Sequence, residues 1–119
     1  MRFRISSFLT ALALTTSASA DSMMVDIYCF TLACTYSVYF TTDFGTYSFS
    51  GSDGCRSTPV PGMTEFCIDE ANDRAHFRFS HQSDKRCMRV YDSEWQTCSD
   101  DFQFATCAKE YYQEVQCDW

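Results

Sequence analysis

Glu65-Phe66-Cys67-Ile68-Asp69-Glu70-Ala71-Asn72-Asp73-Arg74-Ala75-His76-Phe77-Arg78-Phe79 alternates apolar and polar residues on both sides of Ala71-Asn72-Asp73. That period of two belongs to a strand with one buried face. A two-residue turn at Asn72-Asp73 sets Phe66 opposite Phe79 and Ile68 opposite Phe77. The other face then carries Glu65, Cys67 and Asp69 near Arg78, His76 and Arg74. A slip by one residue would bury arginines against phenylalanines, and opposite charges facing across the strands favour the same pairing. The segment reads as a β-hairpin with a charged outer face.

Upstream, Tyr36, Val38 and Phe40 alternate with small polar residues, as do Tyr47 and Phe49. A turn at Thr42-Asp43-Phe44-Gly45 places Phe40 opposite Tyr47 and Val38 opposite Phe49, which predicts a second hairpin. Met24 to Phe30, Arg86 to Tyr91 and Phe102 to Thr106 read as further strands. The tail Lys109 to Cys117 suits either a helix or a strand. Asp100 and Asp101 have the chemistry of a helix cap, and Ser93 to Cys98 is a second short-helix candidate. The fold class expected is mainly β, a small disulfide-stabilised antiparallel sandwich or barrel. The alternative is α+β, with one or two short helices on an antiparallel sheet.

The ends of the chain and its cysteines set the context. Residues 1–20 have the three parts of a signal peptide: Arg2 and Arg4, an apolar run from Ile5 to Leu14, and Ala18-Ser19-Ala20 before the expected cut at Asp21. Residues 21–119 then form a single disulfide-rich domain. Its eight cysteines are Cys29, Cys34, Cys55, Cys67, Cys87, Cys98, Cys107 and Cys117. An even count in a short exported chain reads as four disulfides with open connectivity. Zinc is the competing use, but the C-x₂-C pair is missing and an oxidising compartment consumes thiolates. No metal and no cofactor is expected.

The whole chain carries a formal net charge of −7, and losing the two leader arginines makes it more acidic. Sequence-independent nucleic-acid binding normally needs a basic footprint, so nucleic acid is an unfavoured partner. Lysis of anionic membranes is unfavoured for the same reason. The only apolar run is too short to span a bilayer. A soluble, monomeric, secreted protein is expected.

Two groups of residues are candidates for binding. Alternation puts Arg74, His76 and Arg78 on one strand face, a row able to hold an anion or a partner. Glu65 and Asp69 can instead neutralise that row as an ion-pair ladder, which is the favoured reading. Of twenty aromatic residues only Phe3 and Phe8 lie in the leader, a surplus for so small a core. Tyr36, Tyr39, Tyr47, Trp95 and Tyr111 are a candidate contact surface or sugar-stacking platform. His76 and His81 fall on opposite faces of a regular strand, and no hydrolase motif is present. No catalytic residue is assigned.

In format, with its Met-Arg-Phe leader, spaced cysteines and acidic tyrosine-rich body, the chain resembles the small secreted cysteine-rich proteins of filamentous fungi. Many of those are effectors acting on a host. The resemblance implies a β-rich scaffold and virulence-type binding to an extracellular or host protein, or to cell-wall carbohydrate. More narrowly, Glu65-Phe66-x-Ile68 followed by Asp73-Arg74-Ala75 and Phe77 is similar to the fungal ribonuclease-like scaffold. By that resemblance Glu65 would be the base and Arg74 the phosphate ligand. Tyr47-Ser48-Phe49 stands where that family has Tyr-x-His, and the intervening loop is shorter. The preferred expectation is a secreted non-enzymatic interaction protein. A ribonuclease-like hydrolase, active or dead, ranks second. A toxin or antimicrobial protein comes next, or a protease inhibitor using the Gly51 to Gly62 loop.

Overall fold

The computed structural model describes residues 21–31, 33–98 and 105–119. Eight strands form the fold: β1 (Ser22–Phe30), β2 (Ala33–Thr42), β3 (Gly45–Ser50), β4 (Gly54–Arg56), β5 (Met63–Asp69), β6 (Arg74–Phe79), β7 (Arg86–Thr97) and β8 (Ala105–Val115). They make one antiparallel sheet in the order β3-β2-β1-β8-β7-β6-β5-β4. Among the described residues there is no α-helix, and one 3₁₀ turn spans Glu70–Asn72. The architecture is therefore the mainly β class, without the helices of the α+β alternative.

The sheet curls on itself around the apolar side chains that alternation sets on one face of its strands. Phe40 on β2 stands 5.1 Å from Phe77 on β6, and Phe49 on β3 stands 4.9 Å from Phe66 on β5, both edge to face. Those strands lie far apart in the sheet order, so the contacts require a half-barrel. Val25, Val38, Phe40, Phe66, Phe77 and Met88 are completely buried in it. Arg56 closes the gap between the two edge strands by donating to the main-chain oxygens of Ser50 and Ser52.

The Phe40–Tyr47 and Val38–Phe49 pairs occur as the alternation predicts. At the second hairpin the register differs from expectation. Phe66 faces Phe77 and Ile68 faces Ala75, while Met63 faces Phe79 across a bulge. The cause is the connection, which is not a two-residue turn. Glu70–Asn72 takes one 3₁₀ turn, and Asp73 closes it in the left-handed region at φ 53°. The side chain of Asn72 donates to Asp69 Oδ2 at 2.7 Å and holds that conformation. Because the register moves by two residues, each side chain keeps its expected face.

Two further readings are decided by strand pairing. Ser93 to Thr97 is strand, not helix, because β7 continues to pair with β8 from Ser93↔Glu110 to Thr97↔Thr106. The ambiguous tail is extended through Val115, held between β1 and β7. The proposed helix cap at Asp100 and Asp101 lies outside the described residues, as do the first residues of the Phe102 to Thr106 strand.

All eight cysteines are paired: Cys29–Cys34, Cys55–Cys67, Cys87–Cys117 and Cys98–Cys107. Every bridge joins neighbouring elements, at sequence separations of 5, 12, 30 and 9 residues respectively. Chain-entropy arguments assign them about 2 to 4 kcal/mol apiece.

Gly51 sits where the β3 end crosses β2, donating its N–H to the Tyr36 oxygen at 2.9 Å. A Cβ there would lie 2.9 Å from Val38 Cγ2 and 3.2 Å from Tyr36 Cβ. Gly51→Ala is therefore expected to destabilise by about 1–3 kcal/mol through overpacking. A urea titration should show a lower midpoint at unchanged slope; an unaltered midpoint would mean the crossing is loosely packed.

Candidate functional site

The row Arg74, His76 and Arg78 lies on the outer face of β6, and the ladder reading describes its geometry. Register places Glu65 opposite Arg78 and Asp69 opposite Arg74. Arg74 Nε is 3.3 Å from Asp69 Oδ2, Arg78 Nε 3.6 Å from Glu65 Oε1, and His76 Nε2 3.9 Å from the same oxygen. Burial, helped by the Lys85 charge, holds the His76 imidazole below its ordinary pKa. Trp119 stacks on this face, its ring 5.1 Å from the Arg74 guanidinium and 4.6 Å from that of Arg89. Glu65 and Arg74 stand at opposite ends of the row, about 13 Å apart at the usual strand rise. They do not converge on one phosphodiester in this arrangement.

The five candidate aromatics do not form one surface. Alternation along β2 turns Tyr36 toward the core and Tyr39 toward solvent, and Tyr47 also packs against the core. Trp95 is 59% exposed. Tyr111 lies on the convex face, donating its hydroxyl to Glu94 Oε1 at 3.3 Å beside the Tyr91 ring. Composition flags the aromatics, and alternation along each strand together with the curl of the sheet sorts them by side.

Two sites at the open ends of the half-barrel were not singled out in the sequence. The first is a pocket of about 310 Å³ at the β2–β3 tip, walled by Phe44, Tyr47, Phe79, His81, Asp21 and Arg86, among others. Arg86 is an inward-facing cation on β7. Its Nε and Nη2 donate to both carboxylate oxygens of Glu114 at 2.7 and 2.6 Å, and Asp21 stands 3.2 Å away. Its guanidinium lies over the Phe77 ring at 5.0 Å. These contacts raise its pKa further, with the Glu114 hydrogen bond foremost, and they fix the fork in place. Burial raises the Asp21 carboxyl even though Arg86 opposes it. Above the pocket Phe44 is 92% exposed. The only sequence sign of this was an aromatic residue inside a turn.

The second site is acidic. Glu110 belongs to the inward face of β8, two positions from Tyr112, and meets Glu70 from the β5–β6 turn. Burial and the neighbouring Glu110 charge push the Glu70 carboxyl up to about 8, with Asp53 and Asp73 adding to the effect. Glu110 is raised too, by burial first and then by the Asp73 charge, while its hydrogen bond with Glu70 opposes the rise. The Tyr112 hydroxyl is raised as well, by burial and then by Glu70 and Glu110. Glu70 Oε2, Glu110 Oε1 and the Tyr112 hydroxyl are all buried without a hydrogen-bond partner among the described residues.

Cys55, Glu65 and Cys67 are the one described cluster with metal-ligand spacing, but both sulfurs are committed to a disulfide. No protein-family model, curated protein or solved structure matches this chain.

A carboxyl whose folded pKa lies above its unfolded value stabilises the fold at low pH. For Glu70 that contribution is complete below about 4.5 and is lost as pH rises toward about 8. Glu70→Gln should therefore flatten the decline in urea midpoint between those limits and be the more stable protein at pH 8. Parallel pH profiles for the two proteins would refute the shared burial of Glu70 and Glu110.

Proposed function

We propose that the protein is a secreted binding protein that holds a carbohydrate in the pocket at the β2–β3 tip, without turning it over. The observation that carries this reading is the combination of Phe44, almost wholly in solvent, with a fixed set of planar polar groups below it. Phe44 extends the apolar wall that Tyr47, Val60 and Phe79 form at the pocket out into solvent, where a ligand can contact it. Phe44, Tyr47 and Phe79 offer faces for the C–H surface of a sugar ring. Asp21, Gln82 and Arg86 offer the paired acceptors and donors that vicinal hydroxyls need. The volume is at the lower end of the range for small-ligand sites, suited to one or two sugar units.

Four disulfides support the extracellular setting, since such bridges persist in oxidising compartments. On this reading the protein belongs with the fungal effector-type proteins it resembles in format and acts on a cell-wall ligand of the fungus or its host. The sugar seats by stacking and hydrogen bonding, and the paired carboxylates around Arg86 keep that cation oriented rather than available as an acid.

Titration with chitin-, β-glucan- and xylan-derived oligosaccharides should move the resonances of Phe44, Tyr47 and His81 for one class, with no new reducing ends. Phe44→Ala should weaken that binding about tenfold, the worth of one aromatic stacking contact, at unchanged stability. Absence of any shift at saturating oligosaccharide would overturn the proposal.

A further inference from the structure

β7 is longer than the strand it pairs with on its outer side. β6 reaches only Arg74, which faces Arg89, and the Val90 N–H closes the ladder on the Asp73 oxygen at 3.1 Å. After the bulge at Tyr91, the segment from Asp92 to Thr97 pairs with β8 alone among the described residues. All of its side chains are exposed. The direction of its backbone groups follows from two hydrogen bonds. Cys98 donates to the Ala105 oxygen on β8, whereas Ser93 donates to its neighbour's side chain, Asp92 Oδ1. Alternation therefore turns the N–H and C=O groups of Ser93, Trp95 and Thr97 away from β8, along an open sheet edge.

This edge is acidic on both faces. Asp92 and Glu94 lie on the convex side, while Ser93 faces Glu110 on the concave side. There Glu110 meets Glu70, and neither makes an ion pair within the described residues. Tyr112, only 1% exposed, brings an unpartnered hydroxyl to the same carboxyls. Three buried polar atoms without partners require a donor from outside or a shared proton.

We propose that the Ser93–Thr97 edge of β7 accepts an extended basic peptide from a partner protein as a ninth strand. A lysine or arginine of that peptide, set beside Ser93, reaches Glu70, Glu110 and the Tyr112 hydroxyl. Main-chain hydrogen bonds supply the pairing, and side chains on alternate positions supply selectivity. A hydrophobic residue two positions along meets Trp95 on the concave side. A second copy of this chain is the wrong occupant, because two such edges in antiparallel register bring the Asp92 and Glu94 carboxylates of both copies together. The site lies in a different part of the fold from the β2–β3 pocket and does not depend on the sugar reading.

The test uses fluorescent Val-Lys-Lys-Lys-Val-Lys, its counterpart with every Lys replaced by Glu, and a version of the basic peptide N-methylated at alternate residues. The oxidised protein is expected to bind the basic peptide with salt-sensitive affinity and the other two at least about tenfold more weakly. Ser93→Pro/Thr97→Pro removes outward N–H groups that β8 does not use and should abolish binding. Should that variant not fold, Glu70→Gln/Glu110→Gln decides, with an expected loss of about tenfold. No binding of the basic peptide, equal binding of the acidic or methylated one, or full affinity in the folded proline or glutamine variant would each overturn the proposal.

Discussion

The pairing of β1 with β8 is the constraint on which the architecture depends. Nine residues of β1, Ser22 to Phe30, face Gln113 to Ala105 in unbroken register. Without that ladder the chain would be two separate meanders, β3-β2-β1 and β8-β7-β6-β5-β4. Joining them places Met23, Val25 and Ile27 in the middle of the curved sheet, so Phe40 and Phe77 can meet across the core. The four disulfides do not span this seam. They staple β1 to β2, β4 to β5, β7 to β8 and β7 to the tail. Covalent bonds thus secure the local pairs, while hydrogen bonding and apolar burial secure the long-range one.

Curling also creates the chemistry. A half-barrel buries its middle and leaves two open ends, and polar residues on inward-facing positions collect there. At one end Arg86 has Glu114 and Asp21 as counter-ions and stacks on Phe77. At the other, Glu70 and Glu110 meet without a cation among the described residues, and burial raises both carboxyls, that of Glu70 up to about 8. The same device, an inward-facing charge beyond the apolar belt, gives a compensated site at one end and an uncompensated one at the other. The strand ends explain the difference. β8 and the segment before β1 converge on Arg86, whereas the edge of β7 stands open beside Ser93.

The outer row shows why sequence charge patterns are weak evidence for binding. Arg74, His76 and Arg78 share one face as alternation requires, yet Asp69 and Glu65 lie opposite them and within 4 Å. Exposed pairs of this kind contribute about 0–1 kcal/mol. Their value here is in register, since a slip of one residue would set the arginines among the buried phenylalanines.

Period-two alternation by itself fixed the faces of β2, β3, β5 and β6, because any strand with one apolar side must turn that side inward whatever its neighbours. Even the wrong register at the β5–β6 hairpin kept those faces, since an error of two residues preserves the period. Cysteine parity likewise implied four bridges, though not which sulfurs join. Tertiary structure alone decided that Ser93 to Thr97 is strand, because pairing with β8 outweighs the weak local preference of a polar segment. It alone brought Glu70 and Glu110 together, forty positions apart in the chain. Proximity across a curved sheet depends on which strands become neighbours, and that is set by the non-local seam between β1 and β8, which leaves no periodic mark in the sequence.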